Sequence, residues 1–234
     1  MTVATTVRVA TYNVRSMYDS VPALVRVIRA LRPDVLCVQE APRWLLWRRR
    51  RRQLAHASGM TVAAGLRRGG TAVFVGPGAR VLHAEGHLLR GFFPLERRAV
   101  AIAVVEAGGL RLAVGSIHLD LDSSARFCHA AEALTLIRAA ADRHGAEPVL
   151  AGDVNEQADQ RTFRYIAGEL TDCYPCAPRG DGMTFLARRP DKRIDAVFAG
   201  SGLTVVACGG AEADPDDLVR ATDHLPVVAE LVGS

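Results

Sequence analysis

Short apolar runs rich in valine recur along this whole chain, and they commit it to a fold built on β-sheets with helices packed outside. VRVATYNV (7–14) and DVLCVQE (34–40) read as strands, being β-branched runs of strand length bounded by turn residues. Between them, residues 21–31 carry helical spacing at Leu24, Val27, Ile28 and Leu31, and Pro33 ends that helix. Residues 41–58 are expected to form a second helix, with Gly59 as its C-cap. TVAAGL, TAVFVG, ARVLHAEG, RAVAIAVVEA and LRLAVGSIHLD then follow with short glycine-rich connections, the pattern of an antiparallel meander. Residues 123–143 are a strong helix, with Ser123 or Ser124 expected to cap it and Gly145 to end it. PVLAGDVN is a further strand, followed by a helix near 158–167. After a loop rich in Cys, Pro and Gly (172–182), RIDAVFA, LTVVACG and LPVVAELV are strand-like. Two groups of strands, each followed by helices, imply two sheets packed face to face with helices outside. No internal stretch has linker composition, so one domain over 1–234 is expected.

Bulk properties narrow the function classes. A chain of 234 residues can bury a sizeable core, and 49% hydrophobic with 23% charged residues is globular composition. No apolar run approaches the roughly 20 residues that span a bilayer. The first residues lack a basic start followed by an apolar stretch, so a cytoplasmic protein is expected. Five cysteines without an export signal point to reduced thiols, and Cys173 and Cys176 lack the second pair or spaced histidines of a zinc site. The net charge of +4 suits an anionic substrate and leaves nucleic acids, lipid headgroups and small phosphates all open.

The strand ends carry the chemistry. Asn13 closes the first strand, Glu40 the second, and His118 and Asp120 the end of the meander. GDVN supplies Asp153 and Asn155, RID supplies Asp195, and TDHLP supplies Asp223 and His224. Taken singly, each is an ordinary turn or surface residue. In this order, TYNV, QE, RRAVAIAVV…GSIHLD, GDVN, RIDAVF and TDHLPV resemble the endonuclease/exonuclease/phosphatase superfamily over nearly the whole chain. The resemblance implies a four-layer α/β/β/α sandwich with two packed mixed β-sheets, in agreement with the pattern above.

It also implies hydrolysis of phosphoester bonds assisted by Mg²⁺ or Mn²⁺, hard cations that take oxygen ligands and need few carboxylates. Glu40 matches the family's metal-ligand glutamate, with Asn13 beside it as ligand or orienter and Asp223 joining the metal site. Asp153 and Asn155 match the pair that orients and deprotonates the attacking water and holds the phosphate. Being two apart, they are expected to share one strand face. His224 matches the catalytic histidine, Asp195 the carboxylate that orients it, and His118 a second histidine contacting phosphate. Arg98 resembles an arginine that opens the strand before His118, where a guanidinium suits phosphate oxygens.

Two departures stand out. Arg15 occupies a position that is acidic in many family nucleases, and GGTAVFVG (69–76) replaces a strand ending in small, polar and basic residues, which removes possible phosphate contacts. RWLLWRRRRRQLAH (43–56) reads best as an amphipathic outer helix, with Trp44, Leu45, Trp47 and Leu54 inward and arginines facing water; a nucleic-acid or membrane contact is the competing reading. The expected activity is a phosphodiesterase, acting on nucleic acid or a small diester. The alternatives are a phosphomonoesterase for a sugar, inositol or lipid phosphate and an inactive binding module, in each case a monomer without a membrane span.

Overall fold

The computed structural model describes residues 6–210 and 212–234. In chain order the elements are β1 (Val7–Asn13), α1 (Val21–Leu31), β2 (Val35–Gln39), α2 (Trp47–Ala57), β3 (Thr61–Gly65), β4 (Ala72–Val75), β5 (Arg80–Leu88), β6 (Ala99–Ala107) and β7 (Leu110–His118). They continue with α3 (Ser123–His144), β8 (Glu147–Asp153), α4 (Arg161–Glu169), β9 (Thr171–Asp172), α5 (Cys173–Cys176), β10 (Pro178–Arg179), β11 (Asp195–Ala199), β12 (Leu203–Gly209), α6 (Pro215–Ala221) and β13 (Val227–Gly233).

The strands form two sheets, ordered β10-β12-β13-β1-β2-β4-β3 and β5-β6-β7-β8-β11-β9. Both are mixed: β1 pairs parallel with β2 and antiparallel with β13, while β8 pairs parallel with β7 and antiparallel with β11. Three apolar layers hold them. Val9, Val35, Val73, Val114, Val149 and Val197 fill the space between the sheets. Leu24, Val27 and Ile28 of α1 and Leu54 of α2 cover the outer face of the first sheet, over Tyr12, Leu36 and Phe74. Ile137 of α3 and Phe163 of α4 cover the second, over Ile102, Leu150 and Phe198. This is the four-layer sandwich, and period-two alternation assigns each strand residue to one layer. Among the described residues no helix is long and apolar enough to cross a membrane.

Local rules explain the boundaries that match expectation. Ser20 caps α1 by accepting the Ala23 N–H, and Arg32 ends it in a left-handed conformation (φ 46°) before Pro33. Four differences have physical causes. The five-strand meander is divided: β3 and β4 join the first sheet beside β2, whereas β5, β6 and β7 form the second. The second helix starts at Trp47 and not at 41, so Trp44 and Leu45 lie in a loop and are 63% and 86% exposed instead of packing inward. The third long helix is capped by Asp122, whose carboxylate reaches the Ser124 and Ala125 N–H groups more readily than Ser123 or Ser124 could from inside the first turn. The fourth long helix spans Arg161–Glu169, because Glu156 accepts the N–H groups of Thr162 and Phe163 and fixes its first turn there.

The arginine run also divides. Arg48, Arg49 and Arg52 are exposed, but Arg51 is only 1% exposed. Its guanidinium donates to the carbonyls of Pro42 (2.8 Å), Leu66 (2.9 Å), Ala41 (3.3 Å) and Thr71 (3.4 Å), and it ties together the loops that flank Glu40. Burial lowers the Arg51 pKa to about 10, which still leaves it charged at neutral pH.

Candidate active site

Strand parity decides which side chains gather at the end of the inter-sheet space. On β1, Val7 and Val9 point into that space, so Asn13 does too. On β7 the same parity takes Leu112 and Val114 to Ser116 and His118; on β8 it takes Val149 and Ala151 to Asp153. On β11, which runs the other way, Ala199 and Val197 lead back to Asp195. Register then sets them side by side, with Asp153 opposite His118 on β7 and opposite Asp195 on β11. Gly152 allows this pairing, because a Cβ there would lie 1.9 Å from the Ile117 carbonyl oxygen.

Asn13 Nδ2 donates to Glu40 Oε1 and to Asp153 Oδ2, both at 3.1 Å, and its Oδ1 accepts the Arg15 N–H at 3.0 Å. Glu40 follows β2 in a left-handed conformation (φ 48°). Asp195 Oδ2 lies 2.9 Å from His224 Nδ1, so Nε2 is the ring nitrogen turned to Asp153, 3.8 Å from its Oδ2. His118 Nε2 approaches the same Asp153 oxygen at 3.5 Å. The Phe185 ring packs tilted against the His224 imidazole with centroids 4.9 Å apart. Beneath these residues is a fully buried polar chain: Thr11 Oγ1 donates to Gln39 Oε1, Gln39 Nε2 to Ser116 Oγ, and Ser116 Oγ to the Val38 carbonyl. It links β1, β2 and β7 directly below the site.

Burial disfavours charge on every group here, and neighbours decide which groups keep it. Burial pushes His118 well below the usual imidazole range, and the Arg98 cation adds to that. Burial would also lower His224, but the Asp195 carboxylate outweighs it and His224 rises to about 9. Burial and then the nearby Asp195 charge raise Asp153 to about 7. Titrating groups pushed apart within one cluster are a mark of acid-base sites.

A cleft of about 270 Å³ opens onto this cluster. Glu40, Arg98, His118, Asp153, Asn155, Asp223 and His224 all line it, whereas Asn13 and Asp195 support it from behind. Asn155 is not on the strand face that its spacing suggested. β8 ends at Asp153, and Asn155 adopts φ 55° in the turn beyond, where its N–H bonds Asp153 Oδ1 and its Nδ2 bonds the Leu119 carbonyl, each at 3.0 Å. Arg98 is buried with its Nε 3.3 Å from Asp120 Oδ2. Asp223 Oδ2 lies 3.5 Å from Arg15 Nε, so the departure at position 15 places a cation against that carboxylate. GGTAVFVG does leave a buried strand over Ala72–Val75, yet Gly69 and Gly70 line the cleft. Arg43, Leu121 and Phe185 also line it; all lie outside the ordered motifs, and only tertiary packing brings them here.

Asp153, Asp195 and His224 offer ligand atoms within 4.8 Å of one another. A cation among them would compete with the Asp195–His224 hydrogen bond. Glu40 fits a hard cation better: one carboxylate oxygen is held by Asn13, the group faces the cleft, and the same Asn13 amide brings the Asp153 carboxylate alongside.

The sequence model of the endonuclease/exonuclease/phosphatase family matches residues 10–224. The chain belongs to this family. No curated protein sequence matches it. Solved structures share its fold at low identity. An endonuclease/exonuclease/phosphatase from Bacteroides vulgatus has a TM-score of 0.81 at 21% identity, covering 98% of this chain and 100% of that one. A mannosyl-6-phosphatase from Bacteroides thetaiotaomicron has 0.80 at 18%, covering 97% and 99%. The human Nocturnin catalytic domain, solved with a bound sulfate anion, has 0.74 at 14%, covering 98% and 95%. The family match spans Asn13, Glu40, His118, Asp153, Asp195 and His224.

Proposed function

We propose that this chain is a divalent-metal-dependent phosphoester hydrolase, a phosphodiesterase in the first instance, acting as one catalytic unit. The observation that carries the proposal is the buried Asp195–His224 pair, bonded at 2.9 Å, with the free ring nitrogen turned toward Asp153 at the floor of a cleft. Asp195 fixes the imidazole's tautomer and orientation, which leaves Nε2 for the substrate side. His224, kept protonated by Asp195, offsets charge that builds on the phosphate oxygens. Asp153 takes the proton of the attacking water, and Asn155 holds its carboxylate in place through the backbone N–H. His118, neutral because it is buried beside Arg98, donates or accepts a hydrogen bond at the phosphate without adding a second buried cation. Glu40, with Asn13 and Asp223 nearby, would hold Mg²⁺ or Mn²⁺, which supplies Lewis-acid polarisation of a phosphoryl oxygen. The chain works as a monomer in the cytoplasm on this reading.

The small cleft also suits a phosphomonoester of sugar size, which is the second reading; the shared fold of a mannosyl-6-phosphatase supports it. Turnover of bis-p-nitrophenyl phosphate and p-nitrophenyl phosphate with Mg²⁺, with Mn²⁺ and with EDTA tests both. Metal-dependent hydrolysis that vanishes in Asp153→Asn and His224→Ala is expected, with the diester preferred. No hydrolysis of either compound, or of DNA, RNA and lipid phosphates, would leave a binding module of the same fold.

A further inference from the structure

Next to the reaction centre the cleft continues into a groove of about 350 Å³ lined by Arg43, Trp44, Arg67, Arg68 and Arg97. Arg43, Gly69 and Glu96 belong to both, so groove and cleft are contiguous. The groove's cations are mostly unbalanced. Glu96, the acid in its lining, is ion-paired with Arg43 and lies 3.8 Å from Arg98. Among the described residues, Arg67, Arg68 and Arg97 have no carboxylate within salt-bridge distance, so their charges face the groove uncompensated. Backbone bonds hold two of them to the wall: Arg67 Nε donates to the Arg43 carbonyl at 3.1 Å, and Arg97 Nη2 to the Leu89 carbonyl at 3.5 Å. In the same groove the Trp44 indole is 63% exposed, an unusual position for so large an apolar surface, with the Arg43 guanidinium 5.8 Å from its ring centroid. On the phosphoester reading, the phosphate under attack would meet Arg98, His118 and His224, which line the cleft. These arginines would meet a different anionic group of the same substrate.

We propose that this groove is a subsite for a second phosphate, with the Trp44 indole carrying the part of the substrate that joins it to the phosphate under attack. Guanidinium groups match phosphate oxygens with paired hydrogen bonds, and an exposed indole offers a flat surface for a base or a sugar ring. The substrate class is then a phosphoester bearing another phosphate close by, either a nucleotide or a bisphosphorylated sugar. This inference rests on the phosphoester reading of the adjoining cleft.

The test compares the wild type with an Arg67→Glu/Arg68→Glu variant, whose two exposed side chains have no part in the proposed chemistry. Binding is read without turnover, in EDTA, from the fluorescence of Trp44 in a Trp47→Phe background. The probes are thymidine 3′,5′-bisphosphate and fructose 1,6-bisphosphate, each against its monophosphate. A bisphosphate is expected to bind the wild type roughly tenfold tighter, the effect of one added charge-assisted contact, and the preference should fall below about twofold in the variant. The thymidine and fructose arms decide between the nucleotide and the sugar. No preference in the wild type, or an undiminished one in the variant, overturns the proposal. Turnover of bis-p-nitrophenyl phosphate, which has one phosphate, is measured on the same preparations and should not change in the variant; a loss equal to that seen with bisphosphates also overturns it. A wild type inert toward every phosphoester that still prefers bisphosphates would remove the hydrolase and keep the groove. An active enzyme without that preference would do the reverse.

Discussion

Along β8 the side chains facing the opposite sheet run Val149, Ala151, Asp153, and along β7 they run Leu112, Val114, Ser116, His118. The two ends of these rows share strands, parity and burial, yet one end is a packed apolar core and the other a cluster of buried charge. Close packing gives the first its stability, since each buried aliphatic side chain removed from water contributes about 1.5–3 kcal/mol. The second works against stability, since burial alone disfavours the charged forms of Asp153, His118 and His224. The apolar end therefore acts as the frame that holds the polar end in an arrangement it would not keep by itself.

Substitutions at the two ends should separate these roles. Asp153→Asn is expected to lower kcat on the order of 10²–10⁴-fold, the usual contribution of a positioned acid-base group. The metal-free variant should melt no lower than wild type by calorimetry, because the substitution removes a charge that folding disfavours. Leu112→Ala, in the apolar end, should behave in the opposite way. About 2–5 kcal/mol of stability is lost to the cavity, read by urea unfolding, while kcat in the remaining folded protein stays within about threefold. Gly152→Ala sits where the two ends meet. Its Cβ would strike the Ile117 carbonyl and spread the β7–β8 register, so about 1–3 kcal/mol and most of the activity should go together. If Gly152→Ala weakened only stability, the register would not be what positions His118 against Asp153.

The smallest contrast is within one helix. Arg51→Ala should cost about 1–3 kcal/mol, because four carbonyls lose a shared donor. Arg48→Ala, at an exposed neighbouring position, should stay within about 0.5 kcal/mol. Equal effects would mean that Arg51 is not the tie between the loops around Glu40.

The same contrast explains what could be read from the residues alone. Asp153, Asp195 and His224 stand out in the sequence only as members of an ordered set, since each alone is an ordinary strand-end or turn residue. Helix α1 is legible to the residue, because its apolar stripe and Pro33 are both local signals. The division of β3 and β4 from β5, β6 and β7 was not, since one glycine-rich turn looks like another and the choice of neighbouring strand is made by the sheets. Arg51 was hidden in a run of identical residues that only a helix boundary at Trp47 could order. Asn155 has the spacing of a strand-face residue, but a left-handed turn carries it to the cleft. Trp44 lies within the span 41–58 that reads as helical, yet the helix starts three residues after it.

On the proposed chemistry Asp195 and His224 act as one unit at the polar end of the sheets, and a double-mutant cycle reads that coupling. The measurement is kcat/KM on bis-p-nitrophenyl phosphate with Mg²⁺ for wild type, Asp195→Asn, His224→Ala and the double variant. Once His224 is gone, Asp195 has nothing left to orient, so the double variant is expected to be no more than about threefold worse than His224→Ala alone. Losses that multiply in the double variant would mean that the two residues act independently and that Asp195 does not work through His224.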